Sequence, residues 1–247
     1  MVEKIIITPN EVRGLGNITL KKDADDFTAN ECGIIQSEET INGVLENVFT
    51  LDPYYDYLFY DDCSIDKTSD YGSSIALRNS GTSTLAYNSN GYYTITNTKA
   101  DAESFIPITA LTGTTSDFIL EFDSYIQGAN GSSGFVIYNS TTSWEKLTDD
   151  GDITKRTWYG YNNGSFHETG YNASIVTNQK WMHHKYTMIG NIFTIEITYD
   201  GSVVWSHSEV MHLTRDSTTQ YGIDSEWQNN TVTRYKNIKA ETYTTTI

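Results

Sequence analysis

The most regular alternation of apolar and polar residues in the chain lies at positions 192–199. Phe193, Ile195 and Ile197 fall on one face of an extended segment, while threonine and glutamate fall on the other. Asp200-Gly201 follows directly and accepts the positive φ angles of a two-residue turn. The pattern predicts a half-buried strand inside an antiparallel meander with strands near 184–189, 192–199 and 202–206.

A second alternating segment runs from 117 to 127 and places Phe118, Leu120 and Phe122 on one face. The residues at 134–139 are predicted to form its hairpin partner. Shorter strands are predicted at 91–98 and 103–109, and closing strands at 220–227 and 231–243. Between 140 and 180 the alternation lapses, so a long polar loop region that carries several aromatic residues is predicted there.

The first 52 residues differ in sequence pattern from the rest of the chain, because they hold short apolar clusters separated by polar stretches. Pro53 disfavours helix in the residue before it, and a segment dense in tyrosine and acid follows. We therefore expect a small β-rich attachment or oligomerisation segment at 1–52 and a main domain at 53–247. The predicted fold class is all-β, a two-sheet antiparallel sandwich.

Composition limits the partners. The chain has 247 residues, a formal net charge of -16 and a pI near 4.5, which argues against binding to nucleic acid phosphates. No apolar run approaches the length of a membrane span, so no membrane insertion is expected. The first residues lack the features of a secretory signal, which predicts synthesis in the cytoplasm and a place in a virion, or outside the cell after lysis.

The cysteine and histidine residues give little indication of a disulfide framework or a metal site. Cys32 and Cys63 are expected to be unpaired structural residues, although a mutual disulfide is possible from their number. His183 and His184 are adjacent, so they point to opposite faces of a strand. With no zinc-type spacing, the five histidines are expected to be hydrogen-bonded surface residues.

The segment WMHHKYTMIGNIFTIEITYDGSVVW at 181–205 resembles the central meander of the concanavalin A-like jelly-roll superfamily. That superfamily includes laminin G-type domains, legume-type lectins and laminarinase-like glucanases. FYDDCSIDKTSDYGSSIAL at 59–77 is similar to its usual first turn, whose strand pairs with the last strand. The resemblance covers about residues 56–243.

Separately, EKIIITPNEVRGLGNI at 3–18 is faintly similar to the starts of viral tail-associated structural proteins.

Glu121 and Asp123 are the candidate acids. Two positions apart on one strand, their carboxylates share a face about 7 Å apart. The resemblance implies a Glu-x-Asp-x-(x)-Glu strand in glucanases, but this strand lacks the third acid. A partner such as Glu226 or Glu145 could be supplied from another strand. The two acids are thus solvated surface groups, acceptors for sugar hydroxyls or weak catalytic candidates, and an enzyme is not favoured.

Aromatic residues of the long polar region are candidates for stacking on sugar rings, with a nearby asparagine for the hydroxyl groups. The alternative is that individual rings belong to the core. The candidate ligand-binding residues are Trp144, Trp158, Tyr159, Tyr161, Asn163 and Trp227, with Phe166 and Tyr171 beside them.

An acidic turn at Asp149, Asp150 and Asp152 offers oxygen ligands for Ca²⁺, which is common in the superfamily that the chain resembles. The spacing does not match an EF-hand, so a solvated turn is the alternative.

These features favour a non-catalytic carbohydrate-binding or adhesion protein. Its partner would be a polysaccharide or a cell-surface glycan, and clustering would make it a homo-oligomer such as a trimer, for example in a viral tail. The first alternative is a glycoside hydrolase of the laminarinase-like fold that uses Glu121. The second is a purely structural virion or surface protein.

Overall fold

The structure, a computed structural model, describes residues 4–8, 11–13, 34–41, 44–51, 57–97, 103–127, 132–150, 155–162, 164–172, 179–226 and 232–243. In the first four strands and at 149–150, 155–159, 171–172 and 225–226 only the backbone is described. The chain divides into two compact units, Met1–Tyr57 and Leu58–Ile247.

The first unit holds four antiparallel strands in the order β2-β1-β4-β3. β3 and β4 pair antiparallel along their whole length, from Ile34 opposite Leu51 to Ile41 opposite Val44. The predicted β-rich N-terminal segment is confirmed. The strands are β1 Lys4–Thr8, β2 Glu11–Arg13, β3 Ile34–Ile41 and β4 Val44–Leu51.

The second unit is a sandwich of two antiparallel sheets. The eight-stranded sheet has the order β17-β16-β15-β10-β19-β8-β7, with β5 also paired to β19. Its strands are β5 Tyr57–Asp61, β7 Ser83–Asn88, β8 Tyr92–Asn97, β10 Phe118–Gln127, β15 Trp181–Ile189, β16 Ile192–Tyr199, β17 Ser202–Val210 and β19 Val232–Thr242.

The seven-stranded sheet has the order β14-β13-β12-β11-β18-β9-β6. Short 3₁₀ turns, Thr68–Asp70 and Thr109–Leu111, lie in the connections. The strands of this sheet are β6 Ile75–Arg78, β9 Glu103–Pro107, β11 Ser132–Ser140, β12 Ser143–Asp150, β13 Lys155–Asn162, β14 Ser165–Asn172 and β18 Gln220–Glu226.

The central meander confirms the prediction made from its alternation. β15, β16 and β17 pair antiparallel, and Tyr199 faces Ser202 across the β16–β17 turn. Asp200 and Gly201 have φ angles of 49° and 74°, the left-handed values that this two-residue turn requires. Phe193 and Ile195 are at most 2% exposed, so the predicted apolar face is buried.

The main core lies between the two sheets and is rich in aromatic rings. Phe122 sits near its middle, with its ring centroid 5.1–5.4 Å from the rings of His184, Tyr186 and Tyr235. Phe135, on the opposite sheet, stacks on Phe193 at 5.8 Å. The rings around Phe122 all belong to the eight-stranded sheet, and the Phe135–Phe193 pair is a direct ring contact between the two sheets.

The connection after β5 is held by a buried carboxylate. The Cys63 backbone N–H and the Tyr71 hydroxyl each donate a hydrogen bond to Asp61, at 2.8 and 2.9 Å. Cys63 is a free buried thiol, as predicted, and burial with the nearby Asp61 charge raises its pKa to about 12. Cys32 lies outside the described residues.

Two predictions about strands are wrong. β11 does not form a hairpin with β10, because it pairs with β12 and β18 in the other sheet. The region 140–180 is not mainly a loop, because β12, β13 and β14 form a regular antiparallel meander there. Polar residues occupy both faces of these strands, which hid the alternation that the prediction relied on.

Candidate functional site

The outer face of the eight-stranded sheet carries a band of polar and aromatic side chains. Residues at alternate positions of β8, β19, β10, β15 and β16 point away from the core, and strand register aligns them in three rows. Adjacent rows lie about 7 Å apart along the strands, so the band is roughly 14 Å deep. The ion-pair row is Lys239, Glu121, Lys185 and Glu196; the carboxylate row is Lys236, Asp123, His183 and Thr198; the aromatic row is Thr94, Arg234, Tyr125 and Trp181.

In the ion-pair row, acidic and basic side chains alternate across four strands. The Lys239 Nζ lies 2.6 Å from Glu121 Oε2, and Lys185 is the register partner of Glu121 on the other side. The Glu121 side chain is 13% exposed. Such pairing neutralises an acid on a sheet face, so Glu121 has the surroundings of a structural ion-pair partner.

In the carboxylate row, Asp123 accepts two hydrogen bonds. His183 Nδ1 lies 2.9 Å from its Oδ1, and the Asn237 amide donates to Oδ2 at 2.7 Å. Partial burial raises the pKa of Asp123, but the hydrogen bonds from His183 and Asn237 outweigh burial, so its pKa falls below 3.8. The hydrogen bond to Asp123 raises the pKa of His183 above 6.5.

A β-bulge brings Asn237 to this position. The register between β10 and β19 shifts between Glu121 and Asp123, and Asn237 has a left-handed φ of 52°. Asparagine tolerates this conformation better than most residues. The bulge thereby adds a side-chain amide to the carboxylate row.

The aromatic row combines ring faces with cations. The Arg234 guanidinium lies 5.1 Å from the ring centroids of both Tyr92 and Tyr125. Tyr125 and Trp181 are 5.5 Å apart, and Lys236 Nζ is 4.3 Å from the Trp181 ring. These three rings and two cations are all partly exposed. The aromatic row, with Tyr92 and Lys236 beside it, therefore presents an amphipathic surface to solvent.

Apart from Trp227, the aromatic residues predicted as ligand platforms belong to strands of the other sheet. Trp144 is 0% exposed and packs with Phe105 and Val136, so it offers no ring face and the prediction is wrong there. Tyr161 lies between Trp144 and the exposed Phe166, at 5.6 and 5.2 Å. Together these rings form an aromatic strip on the seven-stranded sheet.

The remaining predicted ligand positions are described only in part. Trp158 and Tyr159 belong to β13 and Tyr171 to β14, with the backbone alone described. Asn163 and Trp227 lie outside the described residues.

The first two residues of the predicted acidic turn belong to a strand. Asp149 and Asp150 are the last residues of β12, and Asp152 lies outside the described residues. The Ca²⁺ site stays a prediction.

Neither acid considered as a partner for Glu121 lies in the sheet of Glu121. Glu145 belongs to β12 and Glu226 to β18, both in the seven-stranded sheet. Glu145 shares the inward face of its strand with Leu147, whereas Glu121 faces outward. The carboxylates of Glu121 and Glu145 therefore cannot flank one glycosidic bond.

A buried charge network was not foreseen from the sequence. Lys146 and Asp224 are each 0% exposed, and the Lys146 Nζ lies 2.7 Å from Asp224 Oδ2 and 3.7 Å from Glu103 Oε2. Arg78 pairs with Glu103 at 3.0 Å. Only the order of the strands β6, β9, β18, β11 and β12 brings these distant residues together.

The comparisons with known proteins identify the fold. No protein-family model matches the chain, and neither does any curated protein sequence. Two stacked antiparallel sheets with this strand order define a jelly-roll β-sandwich. Solved structures of a seed lectin, of the VIP36 exoplasmic/lumenal domain and of a β-glucanase share this fold with the chain, so the expected two-sheet jelly-roll sandwich is confirmed.

Three similar structures illustrate this. The Lotus tetragonolobus seed lectin has a TM-score of 0.53 at 11% identity, over 75% of this chain and 97% of the lectin. The VIP36 exoplasmic/lumenal domain in its Ca²⁺/Man3GlcNAc-bound form has 0.53 at 8%, over 74% and 87%. The Bacillus licheniformis β-glucanase has 0.52 at 14%, over 75% and 98%.

Among the residues that the structure describes, no helix is both long and apolar enough to cross a lipid bilayer.

Proposed function

We propose that the protein binds a polysaccharide or cell-surface glycan through the aromatic and carboxylate rows of the eight-stranded sheet. The observation that carries the proposal is the close placement of Trp181 and Tyr125 beside Asp123, His183 and Asn237. Sugar rings stack their C–H faces on amphipathic aromatic rings, while carboxylates and amides bond the hydroxyl groups. The comparison with lectins and with the VIP36 domain supports this class of ligand.

The two cations that lie against the aromatic rings define how a glycan would be held. Arg234 and Lys236 cover part of the rings, so they would move aside for a neutral sugar and pair with an acidic one. Asp123 would accept a hydrogen bond from a sugar hydroxyl group beside the stacked ring. The hydrolase alternative is not proposed, because the Lys239 ammonium pairs with Glu121, and the lowered pKa of Asp123 on the same face favours the carboxylate over the acid that a leaving group needs.

Copies held together would strengthen binding. Contacts with one shallow face are weak singly, and linked copies multiply the overall affinity without any new contact. We therefore keep a homo-oligomer as part of the proposal, with a viral tail or another surface assembly as the kind of particle that would present it. The β-rich first unit would serve for attachment.

The test is binding to a panel of soluble β-glucan, mannan and polygalacturonate, measured by isothermal titration calorimetry. We expect at least one of these polymers to bind. Trp181→Ala should weaken that binding about tenfold or more, equivalent to ~1.4 kcal/mol, because it removes the stacking ring. Phe166→Ala is the matched control, since it removes an exposed ring from the other sheet.

Two outcomes would count against the proposal. One is that none of the three polymers binds to the wild-type protein. The other is that Trp181→Ala binds as tightly as wild type while Phe166→Ala does not, which would move the binding surface to the aromatic strip.

A further inference from the structure

Three side chains from distant parts of the chain converge at one end of the seven-stranded sheet. Glu145 lies on β12, His167 on β14, and His212 in the segment after β17. One ligand atom from each lies within 4.8 Å of the others. His212 Nδ1 is 2.8 Å and His167 Nε2 is 3.4 Å from Glu145 Oε1, and the imidazole centroids are 4.2 Å apart.

Strand register places Glu145 and His167 close together. Glu145 pairs with Gly160 of β13, and Gly160 pairs with His167, so the three residues form one row across three strands. Because glycine has no side chain, nothing projects between Glu145 and His167. β12 and β13 also approach closely here, since a Cβ on Gly160 would lie 2.0 Å from the Trp144 carbonyl oxygen.

The cluster contains buried polar atoms that the described protein does not satisfy. The Glu145 side chain is 0% exposed, and its Oε1 accepts a hydrogen bond from the His212 backbone N–H at 2.8 Å. Its Oε2 is buried without a hydrogen-bond partner among the described residues. His167 Nε2 is also buried without one, because its approach to Glu145 lacks hydrogen-bond geometry.

Burying a carboxylate beside imidazoles without a full set of partners is costly. A neutral imidazole is the form that donates its lone pair to a metal ion. A divalent cation placed among the three groups would satisfy the buried oxygen and nitrogen together.

We propose that Glu145, His167 and His212 form a binding site for one first-row divalent transition-metal ion of the Zn²⁺ type. Two imidazole nitrogens and one carboxylate oxygen suit Zn²⁺ better than Ca²⁺ or Mg²⁺, which prefer oxygen ligands. Glu145 Oε2, which has no hydrogen-bond partner among the described residues, would be available to the ion, while Oε1 keeps the His212 backbone N–H. The three ligands leave a fourth tetrahedral position for water, on the side where the His212 side chain is 47% exposed.

Such an ion would link the two sheets. His212 follows β17, the edge strand of the eight-stranded sheet, while Glu145 and His167 belong to the other sheet. Binding to the folded protein but not to the unfolded chain would raise the melting temperature with metal concentration.

The test uses the full chain, freed of metal by a chelator and titrated with ZnCl₂ by calorimetry, with CaCl₂ and MgCl₂ as comparison ions. We expect one Zn²⁺ per chain, a higher melting temperature with Zn²⁺, and no comparable effect of Ca²⁺ or Mg²⁺. Glu145→Gln and His212→Ala should each weaken Zn²⁺ binding by about 100-fold or more, since loss of outer-shell partners alone costs about 10–100-fold. His207→Ala is the control, because His207 is not one of the three ligands and its imidazole contacts Glu209.

A second measurement keeps the proposal open to refutation where a variant fails to fold. In the wild-type protein, NMR signals of the His167 and His212 imidazoles should shift on addition of Zn²⁺, and those of His184 should not. Absence of Zn²⁺ binding, unchanged His167 and His212 signals, or equal loss of affinity in His207→Ala would each overturn the assignment.

Discussion

The hydrogen bond between Asp123 and His183 ties the ionisation of the two side chains together. The folded-state pKa of His183 lies above 6.5, so its stabilising contribution is complete below that pH and is lost as pH rises through the raised pKa. The folded-state pKa of Asp123 lies below 3.8, so its contribution is complete above that pH and is lost on further acidification. Both contributions are complete between pH 3.8 and 6.5.

An NMR titration of the histidine imidazoles tests this coupling. The pKa of His183 should exceed 6.5 in the wild-type protein and should fall in Asp123→Asn, because the largest cause of its increase is the hydrogen bond to Asp123. Glu121→Gln should lower it less, since the Glu121 charge is a smaller cause. A larger fall in Glu121→Gln than in Asp123→Asn would contradict the assignment.

Part of the candidate site could be predicted from residues alone. The alternation in β10 put Glu121 and Asp123 on the solvent face correctly. Their partners could not be predicted, because Lys239, His183 and Asn237 come from strands about 60 and 115 residues away, and only register brings them together. Trp181 belonged to the predicted meander, but its position beside Tyr125 depends on the pairing of β10 with β15.

At the scale of elements, Gly160 sets how closely β12 and β13 can approach. Alanine there would place a Cβ 2.0 Å from the Trp144 carbonyl oxygen and 2.8 Å from the Glu145 Cα, so the backbone must shift. We expect Gly160→Ala to lower the free energy of unfolding in urea by about 1–3 kcal/mol, the range for overpacking.

Ser165→Ala, at an exposed position of β14, is the matched control and should change stability by less than ~0.5 kcal/mol. A Gly160→Ala protein as stable as wild type would show that the two strands tolerate a wider spacing.

The wrong prediction of a loop at 140–180 shows that the hydrophobic pattern of one segment does not always reveal a strand. In β12 the outward Trp144 and Lys146 and the inward Glu145 and Leu147 are all at most 1% exposed. Apolar and charged residues therefore share each face, and no period of two in hydrophobicity is visible. The charges are accommodated by Asp224 and His212 from remote strands and segments, which a single segment cannot reveal.

For the whole molecule, the second unit holds its own core. Among the side chains that the structure describes, those of the main core cluster run from Phe59 to Ala240, all within this unit. We therefore expect the fragment 53–247 to fold without the first unit, with a β-type circular dichroism spectrum and a single cooperative thermal transition. The full chain, measured in parallel, is the reference. A fragment that lacks a cooperative transition would place essential core contacts in residues 1–52.

The architecture was predictable as two antiparallel sheets, but the assignment of strands to sheets was not. The apolar faces of β10 and β11 indicated that each strand is buried, and both are. The same pattern is satisfied by a hairpin or by strands in opposite sheets, because each arrangement buries the apolar face. Pairing of β11 with β18 depends on residues about 85 positions later in the chain.

The position of β19 has a consequence for biosynthesis. This strand pairs with β10, β8 and β5, yet it follows all of them in chain order. Until residues 232–242 leave the ribosome, the nascent polypeptide carries unpaired strand edges at the centre of its larger layer. Growing chains would therefore depend on chaperone protection or slow collapse, and a premature stop codon before residue 232 should send the product to aggregation or degradation.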